Sequence, residues 1–204
     1  SAASDVYKRQ VITANGTPKV QRFSPFVPSS AYSATDIVGS AYFDGSGDYL
    51  SIPVGAANLG TSDFTIEFWW NGDGSVSSGF TMNTASYGNS STWQLFIDGN
   101  KIYWQDNIGA HNLWITNTVN INTGWHHIAV VRSSGTSAVY VDGVSIGLSS
   151  GSYSDSNNYT NASYFYLGYR SDNQYTLGYI ADFRIVKGTA VYTTAFTPPT
   201  APLT

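Results

Sequence analysis

Apolar and polar residues alternate with a period of two through much of this chain, which predicts antiparallel β-strands. The alternation is clearest over residues 124–147. Residues 125–132 alternate along β-branched and aromatic side chains, residues 138–141 resume after a Ser-Ser-Gly-Thr turn, and residues 144–148 form a third strand. Asp142 and Gly143 suit a type I′ turn, which needs positive φ at both central positions. We predict a three-stranded antiparallel meander here.

Further strand patterns recur every ten residues or so on both sides of the meander. The predicted strands are 41–44, 49–53, 64–70, 79–83, 93–97, 101–105, 114–115, 164–168 and 177–186. Strands 41–44 and 49–53 flank a Gly-Ser-Gly turn and are predicted to form a hairpin, as are strands 93–97 and 101–105 around Asp-Gly-Asn. Both faces of strand 64–70 are apolar, so we expect both to be covered. This spacing indicates an all-β antiparallel sandwich or barrel.

Four segments fall outside the regular strand pattern. Residues 1–10, SAASDVYKRQ, resemble a translated sequencing-adapter tail of the kind found on metagenomic reading frames, so we expect the domain to come from a longer protein. Residues 11–39 are polar and interrupted by prolines, which predicts an extended lead-in with room for one edge strand. Residues 149–161 are predicted to be a featureless loop, and residues 188–204 an extended, proline-rich tail or linker. The domain itself is expected at residues 40–187.

Composition narrows the class of protein. A chain of 204 residues suits one all-β domain, and the absence of cysteine excludes disulfides, cysteine-based zinc sites and thiol catalysis. Charged residues make up 11% of the chain, against about 25% in typical globular domains. Uncharged polar residues, glycine and tyrosine replace them, which is common in extracellular and virion surface proteins. A net charge of −4 offers no basic patch for nucleic acid, and no apolar run approaches the roughly 20 residues of a membrane span.

Few side chains are placed for catalysis. Glu67 is the only glutamate, and its strand neighbours provide no second carboxylate of the kind a glycosidase pair needs. An aspartate from another strand remains open as a partner. His126 and His127 are adjacent on one strand and point to opposite faces, so they cannot jointly bind one metal ion. We predict that His127 is a hydrogen-bonded core residue and that the protein has no catalytic site.

Four motifs carry a resemblance to a known family. They are FDGSGDYLSIP at 43–53, TSDFTIEFWW at 61–70, GWHHIAVVR at 124–132 followed by VYVDG, and YLGY through GYIADFRI at 166–185. Over residues 40–186 the chain resembles laminin G-like domains, which belong to the concanavalin A-like lectin/glucanase jelly rolls. The closing IVKGTAVYTTAFTPPTAPLT resembles a variant that recurs in structural and tail-associated proteins of marine tailed phages.

The resemblance implies a jelly-roll β-sandwich of two antiparallel sheets packed face to face. It also implies a domain that binds glycans or proteins, in some members through calcium at the rim of the sandwich, or one that serves only as a spacer. No cofactor is required. Asp44, Asp48, Asp98 and Asp142 lie in turns where aspartate is favoured for backbone reasons alone, so the expectation of calcium rests on the resemblance and not on ligand spacing.

Two clusters combine aromatic rings with amide and carboxylate groups, the side chains that recognise sugars. The first cluster is Tyr103, Trp104, Asp106, Asn107, His111, Asn112 and Trp114. The second, between the last two strands, is Tyr169, Arg170, Asp172, Asn173 and Tyr175. The alternative places Trp104 and Trp114 in the core and makes the tyrosines ordinary amphipathic surface.

These features predict a non-enzymatic binding or adhesion module of a larger virion or surface protein. Its expected partners are a cell-surface glycan or receptor and the other domains of the same protein. The first alternative is a structural decoration or spacer domain of a phage particle, and the second is a glycoside hydrolase. An exposed co-facial Trp/Tyr pair in a groove would favour glycan binding, a concave face closed by loops would favour a spacer, and two carboxylates about 5–9 Å apart in a cleft would favour the hydrolase.

Overall fold

The computed structural model of the protein describes residues 12–26, 39–74, 79–84, 92–105, 112–160, 162, 164–170 and 172–203. Its strands, numbered in chain order, are β1 (Thr13–Asn15), β2 (Lys19–Gln21), β3 (Ser40–Asp44), β4 (Tyr49–Ser51), β5 (Phe64–Gly72), β6 (Thr81–Asn83), β7 (Gln94–Asp98), β8 (Lys101–Gln105), β9 (Asn112–Thr116), β10 (His126–Ser133), β11 (Thr136–Val141), β12 (Val144–Ser145), β13 (Leu148–Gly151), β14 (Tyr166–Leu167), β15 (Tyr169–Arg170), β16 (Gln174–Tyr175) and β17 (Leu177–Lys187). A 3₁₀ turn, Val54–Ala56, lies between β4 and β5.

The strands form two large antiparallel sheets and one small ribbon. The eight-stranded sheet has the order β1-β4-β14-β6-β7-β8-β9-β13, and the seven-stranded sheet has the order β12-β11-β10-β5-β17-β3-β2. Strands β15 and β16 pair as a separate ribbon. The two sheets share one apolar core, where for example Phe68 of β5 stacks on Phe80 beside β6 with ring centroids 4.2 Å apart. The predicted all-β, two-sheet jelly-roll sandwich is therefore confirmed.

The predicted meander is confirmed as β10, β11 and β12, which are neighbours in the seven-stranded sheet. Its third strand is shorter than predicted, because β12 ends at Ser145 and Leu148 begins β13 of the other sheet. Asp142 and Gly143 connect β11 to β12 with φ of 51° and 76°, as a type I′ turn requires. The Asp142 carboxylate also accepts a hydrogen bond from the His127 backbone N–H at 2.9 Å. The turn between β11 and β12 is thereby tied to β10 through a side chain.

One of the two predicted hairpins is confirmed and the other is wrong. Strands β7 and β8 pair directly, as predicted. Strand β3 instead pairs with β17 in the seven-stranded sheet, while β4 lies between β1 and β14 in the eight-stranded sheet. Gly45 and Gly47, with φ of 81° and 79°, turn the chain from one sheet into the other. Glycines permit such a reversal, but they do not determine which strand will be the neighbour.

The prediction of a featureless loop at residues 149–161 is wrong, because this segment begins in β13 and its remainder contributes to the core. Tyr159 is 1% exposed, and its hydroxyl accepts a hydrogen bond from Trp104 Nε1 at 3.1 Å. Asp155 is buried 3.5 Å from Arg132, whose guanidinium also donates to backbone carbonyls of the chain around it. Burying this cation and anion together avoids an uncompensated buried charge. The abundant serines and asparagines of the segment predict a surface loop, and they give no sign that Asp155 and Tyr159 are buried.

The outer face of the seven-stranded sheet is covered by two segments, one that precedes residues 40–187 in sequence and one that follows them. Residues 188–203, here called the C-terminal strap, lie along this face without forming a strand or helix. The strap is fastened by backbone donors, namely Val191 to Thr65 Oγ1 (2.9 Å), Phe196 to the Gly143 carbonyl (3.0 Å) and Leu203 to an Asp182 carboxylate oxygen (2.7 Å). The prolines predicted an extended segment, and this extended segment lies against the domain.

The lead-in covers the other part of the same face. Phe23 and Phe26, here called the N-terminal arm, pack on aromatic rings of the sheet. The ring centroids of Phe23 and Trp125 are 5.2 Å apart, and those of Phe26 and Trp69 are 5.7 Å apart. Strand 64–70 was expected to be covered on both faces, and β5 is covered by the core on one side and by the arm and strap on the other.

Candidate functional site

Five partly exposed tyrosines lie together on the outer side of the eight-stranded sheet. They are Tyr49 of β4, Tyr164 just before β14, Tyr166 of β14, Tyr169 of β15 and Tyr175 of β16, here called the tyrosine patch. Their position follows from strand alternation, because neighbouring side chains on a strand point to opposite faces. Leu50 and Leu167 pack against the core, so Tyr49 and Tyr166 face outward.

The rings of the patch are in contact with one another. Tyr164 and Tyr166 are co-facial, with centroids 4.4 Å apart and an interplanar angle of 13°. Tyr49 contacts Tyr166 at 5.0 Å and Tyr169 at 5.3 Å, and Tyr175 contacts Tyr169 at 5.1 Å. These distances are typical of favourable aromatic pairs, so the patch is a preformed surface whose rings support each other.

The ribbon β15–β16 connects the patch to a second aromatic pair. The Arg170 guanidinium lies over the Phe96 ring at 4.3 Å, and Phe96 stacks on Tyr103 at 4.6 Å. Arg170 also donates to both carboxylate oxygens of Asp172, at 2.8 and 2.7 Å. These hydrogen bonds hold the pKa of Asp172 below its ordinary value. The arginine is thus held by a ring face and by a carboxylate at the same time.

The hydroxyl groups of Tyr166 and Tyr169 are neutral at physiological pH. Burial raises the pKa of Tyr166 above its ordinary value of 10.0, and the neighbouring tyrosines raise it further. Burial, followed by the neighbouring tyrosines, raises the pKa of Tyr169 in the same direction. A protonated phenol can both donate and accept a hydrogen bond. The patch therefore presents apolar rings and hydroxyl groups on one surface.

The structure brings the second predicted cluster to this surface. Tyr169 and Tyr175 are members of the patch, and Arg170 lies beside it. Asp172 and Asn173 are exposed at the turn of the ribbon, where Asn173 has a φ of 63°. Their contact with a ligand stays a prediction, but their position next to the patch agrees with it.

The first predicted cluster is wrong in its two tryptophans, which are buried and cannot contact a ligand on the surface. Trp104 and Trp114 are 1% and 0% exposed, and their rings are 6.1 Å apart in the core. Trp104 follows Tyr103 on β8, so alternation sends the larger apolar ring inward and the tyrosine outward. The alternative that placed both tryptophans in the core is confirmed.

The rest of the first cluster is only partly described. Tyr103 is partly exposed beside Phe96, as a surface site would require. Asp106, Asn107 and His111 lie outside the described residues. Asn112 begins β9, and only its backbone is described.

Sequence reasoning missed Tyr49, Tyr164 and Tyr166. The run Tyr-Phe-Tyr-Leu at 164–167 places tyrosines at every second position between core residues, and this alternation was a usable signal for the last two. Tyr49 had no such signal. It joins the patch only because β4 and β14, which are distant in sequence, are neighbours in the sheet.

The only glutamate of the chain lies on the covered face of the other sheet. Glu67 is 0% exposed. Arg184 donates to its Oε1 from Nε at 2.9 Å and from Nη2 at 2.7 Å, and the Tyr192 hydroxyl donates to its Oε2 at 2.8 Å. His127 Nε2 lies 3.2 Å from the same Oε2. Tyr192 belongs to the C-terminal strap, so the buried carboxylate helps to hold the strap on the sheet.

The surroundings of Glu67 keep it ionised and away from solvent. Burial by itself raises the pKa of Glu67, but hydrogen bonds from His127, Arg184 and Tyr192 outweigh burial and hold the pKa below its ordinary value of 4.5. Burial and the neighbouring carboxylate raise the pKa of Tyr192 to about 12. A general acid or nucleophile must reach its substrate. Glu67 is covered by the strap and bonded to three side chains, so it performs a structural role here.

The two adjacent histidines interact with different carboxylates. His127 is fully buried and contacts Glu67, which agrees with the predicted hydrogen-bonded core residue. His126 Nδ1 lies 2.7 Å from Asp142, on the other side of the strand. The prediction that the pair cannot bind one metal ion agrees with this geometry.

The turn aspartates make bonds within the chain and do not converge. Asp44 accepts the Ser46 N–H at 2.8 Å, and Asp48 accepts the Thr17 N–H at 2.5 Å. Among the described residues, no group of three or more histidine, aspartate or glutamate side chains is placed to hold a metal ion. In the same part of the chain, no helix is long and apolar enough to cross a membrane.

A family model for the concanavalin A-like lectin/glucanases superfamily, of laminin G type, matches residues 44–192. The chain therefore belongs to this superfamily, and the laminin G-like resemblance is confirmed. A comparison with curated proteins finds no significant match.

Solved structures with the same fold include receptor-binding modules. The receptor-binding domain of botulinum neurotoxin C/D mosaic serotype has a TM-score of 0.56 and 15% identity, covering 90% of this chain and 44% of that one. A structure of botulinum neurotoxin type C, described as entering cells through two ganglioside molecules, has a TM-score of 0.59 and 13% identity, covering 90% and 44%. Domains LG4-5 of the mouse laminin α1 chain have a TM-score of 0.51 and 18% identity, covering 81% and 46%. The chain spans less than half the length of these structures, and the likeness concerns the fold.

Proposed function

We propose that the domain is a non-enzymatic binding module that attaches a larger surface or virion protein to carbohydrate through the tyrosine patch. The observation that carries this proposal is the patch itself. Five tyrosines remain partly exposed in mutual contact, and no described segment of the chain covers them as the strap and arm cover the other sheet. Exposed clusters of large aromatic rings are characteristic of binding surfaces.

The chemistry of the patch suits a sugar. The C–H faces of a sugar ring pack against aromatic rings, and its hydroxyl groups exchange hydrogen bonds with neutral donors and acceptors. Tyrosine provides both kinds of contact at a low entropic cost, because its side chain has only two rotatable angles. The co-facial pair Tyr164 and Tyr166 supports the proposal, because its ring faces lie in the partly exposed patch. The receptor binding named for the neurotoxin structures agrees with a binding module.

Hydrolysis has little support in this geometry. The only glutamate is buried under the strap, held by Arg184 and Tyr192, and unable to reach a substrate. The Arg170–Asp172 pair beside the patch leaves its carboxylate bonded to an arginine. A glycosidase needs two accessible carboxyl groups across the scissile bond.

A spacer domain is the second candidate, and one observation favours it. The outer face of the seven-stranded sheet is closed by the strap and the arm, as a purely structural module would require. The closing segment that resembles phage tail-associated proteins forms this strap. A virion context therefore fits both candidates, and binding by the tyrosine patch distinguishes them.

A glycan array tests the proposal, with and without calcium, using the wild type and a Tyr166→Ala, Tyr169→Ala double variant. We expect the wild type to bind in both conditions and the double variant to lose at least about tenfold in affinity. Tyr42→Ala is the matched control, because Tyr42 is a partly exposed tyrosine that packs on Tyr179 of the other sheet. If the wild type bound no glycan, the spacer candidate would replace the binding module.

A further inference from the structure

We infer that the tyrosine patch selects uncharged glycans, and that Asp172 is the residue that sets this selectivity. The inference rests on the proposed function and deepens it, because it names the class of glycan. The argument concerns charge. Receptors for sialylated or sulfated sugars present a cation that can pair with the acidic group of the ligand.

The cation that lies next to the patch is already paired. Arg170 directly follows Tyr169 on β15, and its guanidinium donates two hydrogen bonds to Asp172 in a bidentate arrangement. The planar fork of arginine matches one carboxylate at a time in this manner. An acidic glycan would have to displace Asp172 in order to use the same donors.

The Phe96 ring also holds the Arg170 guanidinium in place. The guanidinium lies 4.3 Å from the centroid of this ring, which itself stacks on Tyr103. The Arg170 side chain is 20% exposed, whereas that of Asp172 is 55% exposed. The arginine is therefore the anchored member of the pair, and the aspartate is the member that meets solvent. An approaching anion meets the carboxylate first and is repelled.

Lys101 of β8 is a second cation on this side of the sheet, and it lies directly opposite Asp98 of β7 in the antiparallel register. Around the patch, the ligand thus meets tyrosine hydroxyl groups and an arginine whose charge is compensated by Asp172. Binding of an uncharged glycan on such a surface should depend little on salt.

Asp172→Asn tests this inference because it removes the compensating charge and keeps a side chain of nearly the same shape. Arg170 remains over Phe96, and its charge becomes available to a ligand. Binding is measured to immobilised neutral glycans (glucan, mannan, galactan and xylan) and to sialylated and sulfated glycans, each at low salt and at about 1 M salt, where the screening length falls to about 3 Å. Thermal unfolding of both proteins verifies that they are folded.

The expected result has two parts. The wild type binds one or more neutral glycans with little change at high salt, and it binds the acidic ones weakly or not at all. Asp172→Asn gains on the order of fivefold in affinity for the acidic glycans at low salt, and the gain disappears at high salt.

Three results would overturn different claims. A wild type that prefers acidic glycans contradicts the selectivity but supports carbohydrate binding. An Asp172→Asn variant with no gain on acidic glycans contradicts the role of Asp172. A folded wild type that binds neither class contradicts the proposed function itself. Arg170→Gln in the Asp172→Asn background should abolish the gain, and a gain that persists would show that Arg170 is not its source.

Discussion

The outer faces of the two sheets are both rich in aromatic side chains, yet one face is covered by other segments of the chain and the other stays partly exposed. On the seven-stranded sheet, the strap residues Tyr192 and Phe196 stack on each other with centroids 3.6 Å apart and cover His127. On the eight-stranded sheet, the tyrosine patch stays partly exposed. One face has become a second small core, and the other has kept its rings available to a partner.

The chemistry of the two faces explains the difference. The covered face holds tryptophan, histidine and a buried carboxylate; aromatic rings of the arm and strap pack on the first two, and Tyr192 of the strap donates to the carboxylate. The open face holds tyrosines, whose hydroxyl groups can be solvated while the rings pack on each other. A high aromatic content therefore does not locate a binding surface. What matters is whether another segment of the same chain covers the rings.

The largest effect is expected for Glu67→Ala on the covered face. Removing the carboxylate leaves Arg184 and the Tyr192 hydroxyl without their acceptor, and breaking a buried pair typically costs about 3–5 kcal/mol. Denaturant unfolding measures the change. Asp172→Asn, which alters an exposed pair on the open face, should cost about 0–1 kcal/mol. Equal losses in the two variants would remove the distinction between the faces.

Phe196→Ala should loosen the strap without unfolding the sandwich. Phe196 packs on Tyr192, Tyr140 and His127, and truncating a partly buried phenylalanine should cost about 2–3 kcal/mol. Hydrogen exchange should quicken over residues 188–203 while β7 and β8 remain protected. Unchanged exchange in the strap would show that the stacked pair does not hold it.

Gly143→Ala should displace the same segment by a clash with its backbone. Gly143 has a φ of 76°, and an added Cβ would overlap the Phe196 carbonyl oxygen. Gly99→Ala is the matched control, since Gly99 has a φ of 56° and nothing lies within 4 Å of its added Cβ. The conformational cost of about 1–2 kcal/mol is common to both variants. Any larger loss of unfolding free energy in Gly143→Ala therefore reports the contact between Gly143 and the strap. Equal losses in the two variants would contradict that contact.

Acid should weaken the covered face first. The pKa of Glu67 in the folded protein is lower than its ordinary value of 4.5. Its contribution to stability is therefore fully present above pH 4.5 and is lost as the pH falls through the folded pKa. The slope of unfolding free energy against pH in this window should be smaller in Glu67→Gln. Identical slopes would show that Glu67 does not titrate with folding.

Tyr166→Ala should have a small effect on stability and a large effect on binding. Tyr166 is partly exposed and packs on other tyrosines, so we expect a cost of about 1 kcal/mol. Calorimetry with the glycan selected on the array measures the lost affinity, and denaturant unfolding measures the stability. A stability loss as large as that of Phe196→Ala would indicate that the patch, too, is mainly structural.

Local sequence patterns predicted the strands well but not their neighbours. Alternation located β5, β7, β8 and the meander, because burial of one face imposes a period of two. The glycines at 45–47 predicted a reversal, yet β3 and β4 separated into different sheets. Turn residues report local backbone freedom, whereas sheet membership is decided by contacts that are distant in sequence.

The same limit applies to the candidate site. The polar and aromatic cluster around Tyr169 was visible because its members are adjacent in sequence. Trp104 looked equally suitable, and only the packing of β8 shows that it faces the core while Tyr103 faces outward. The strap could not be predicted either, because Pro198 and Pro199 indicate an extended backbone without indicating what that backbone covers.

The most direct test of the comparison is a chemical-shift map of the bound glycan on the isotope-labelled protein. If the open face is the binding surface, amide shifts will change in β4, β14 and the ribbon β15–β16, and the strap residues 188–203 will be unaffected. Changes concentrated in the strap and in β10, with the tyrosine patch unaffected, would contradict the assignment of binding to the open face.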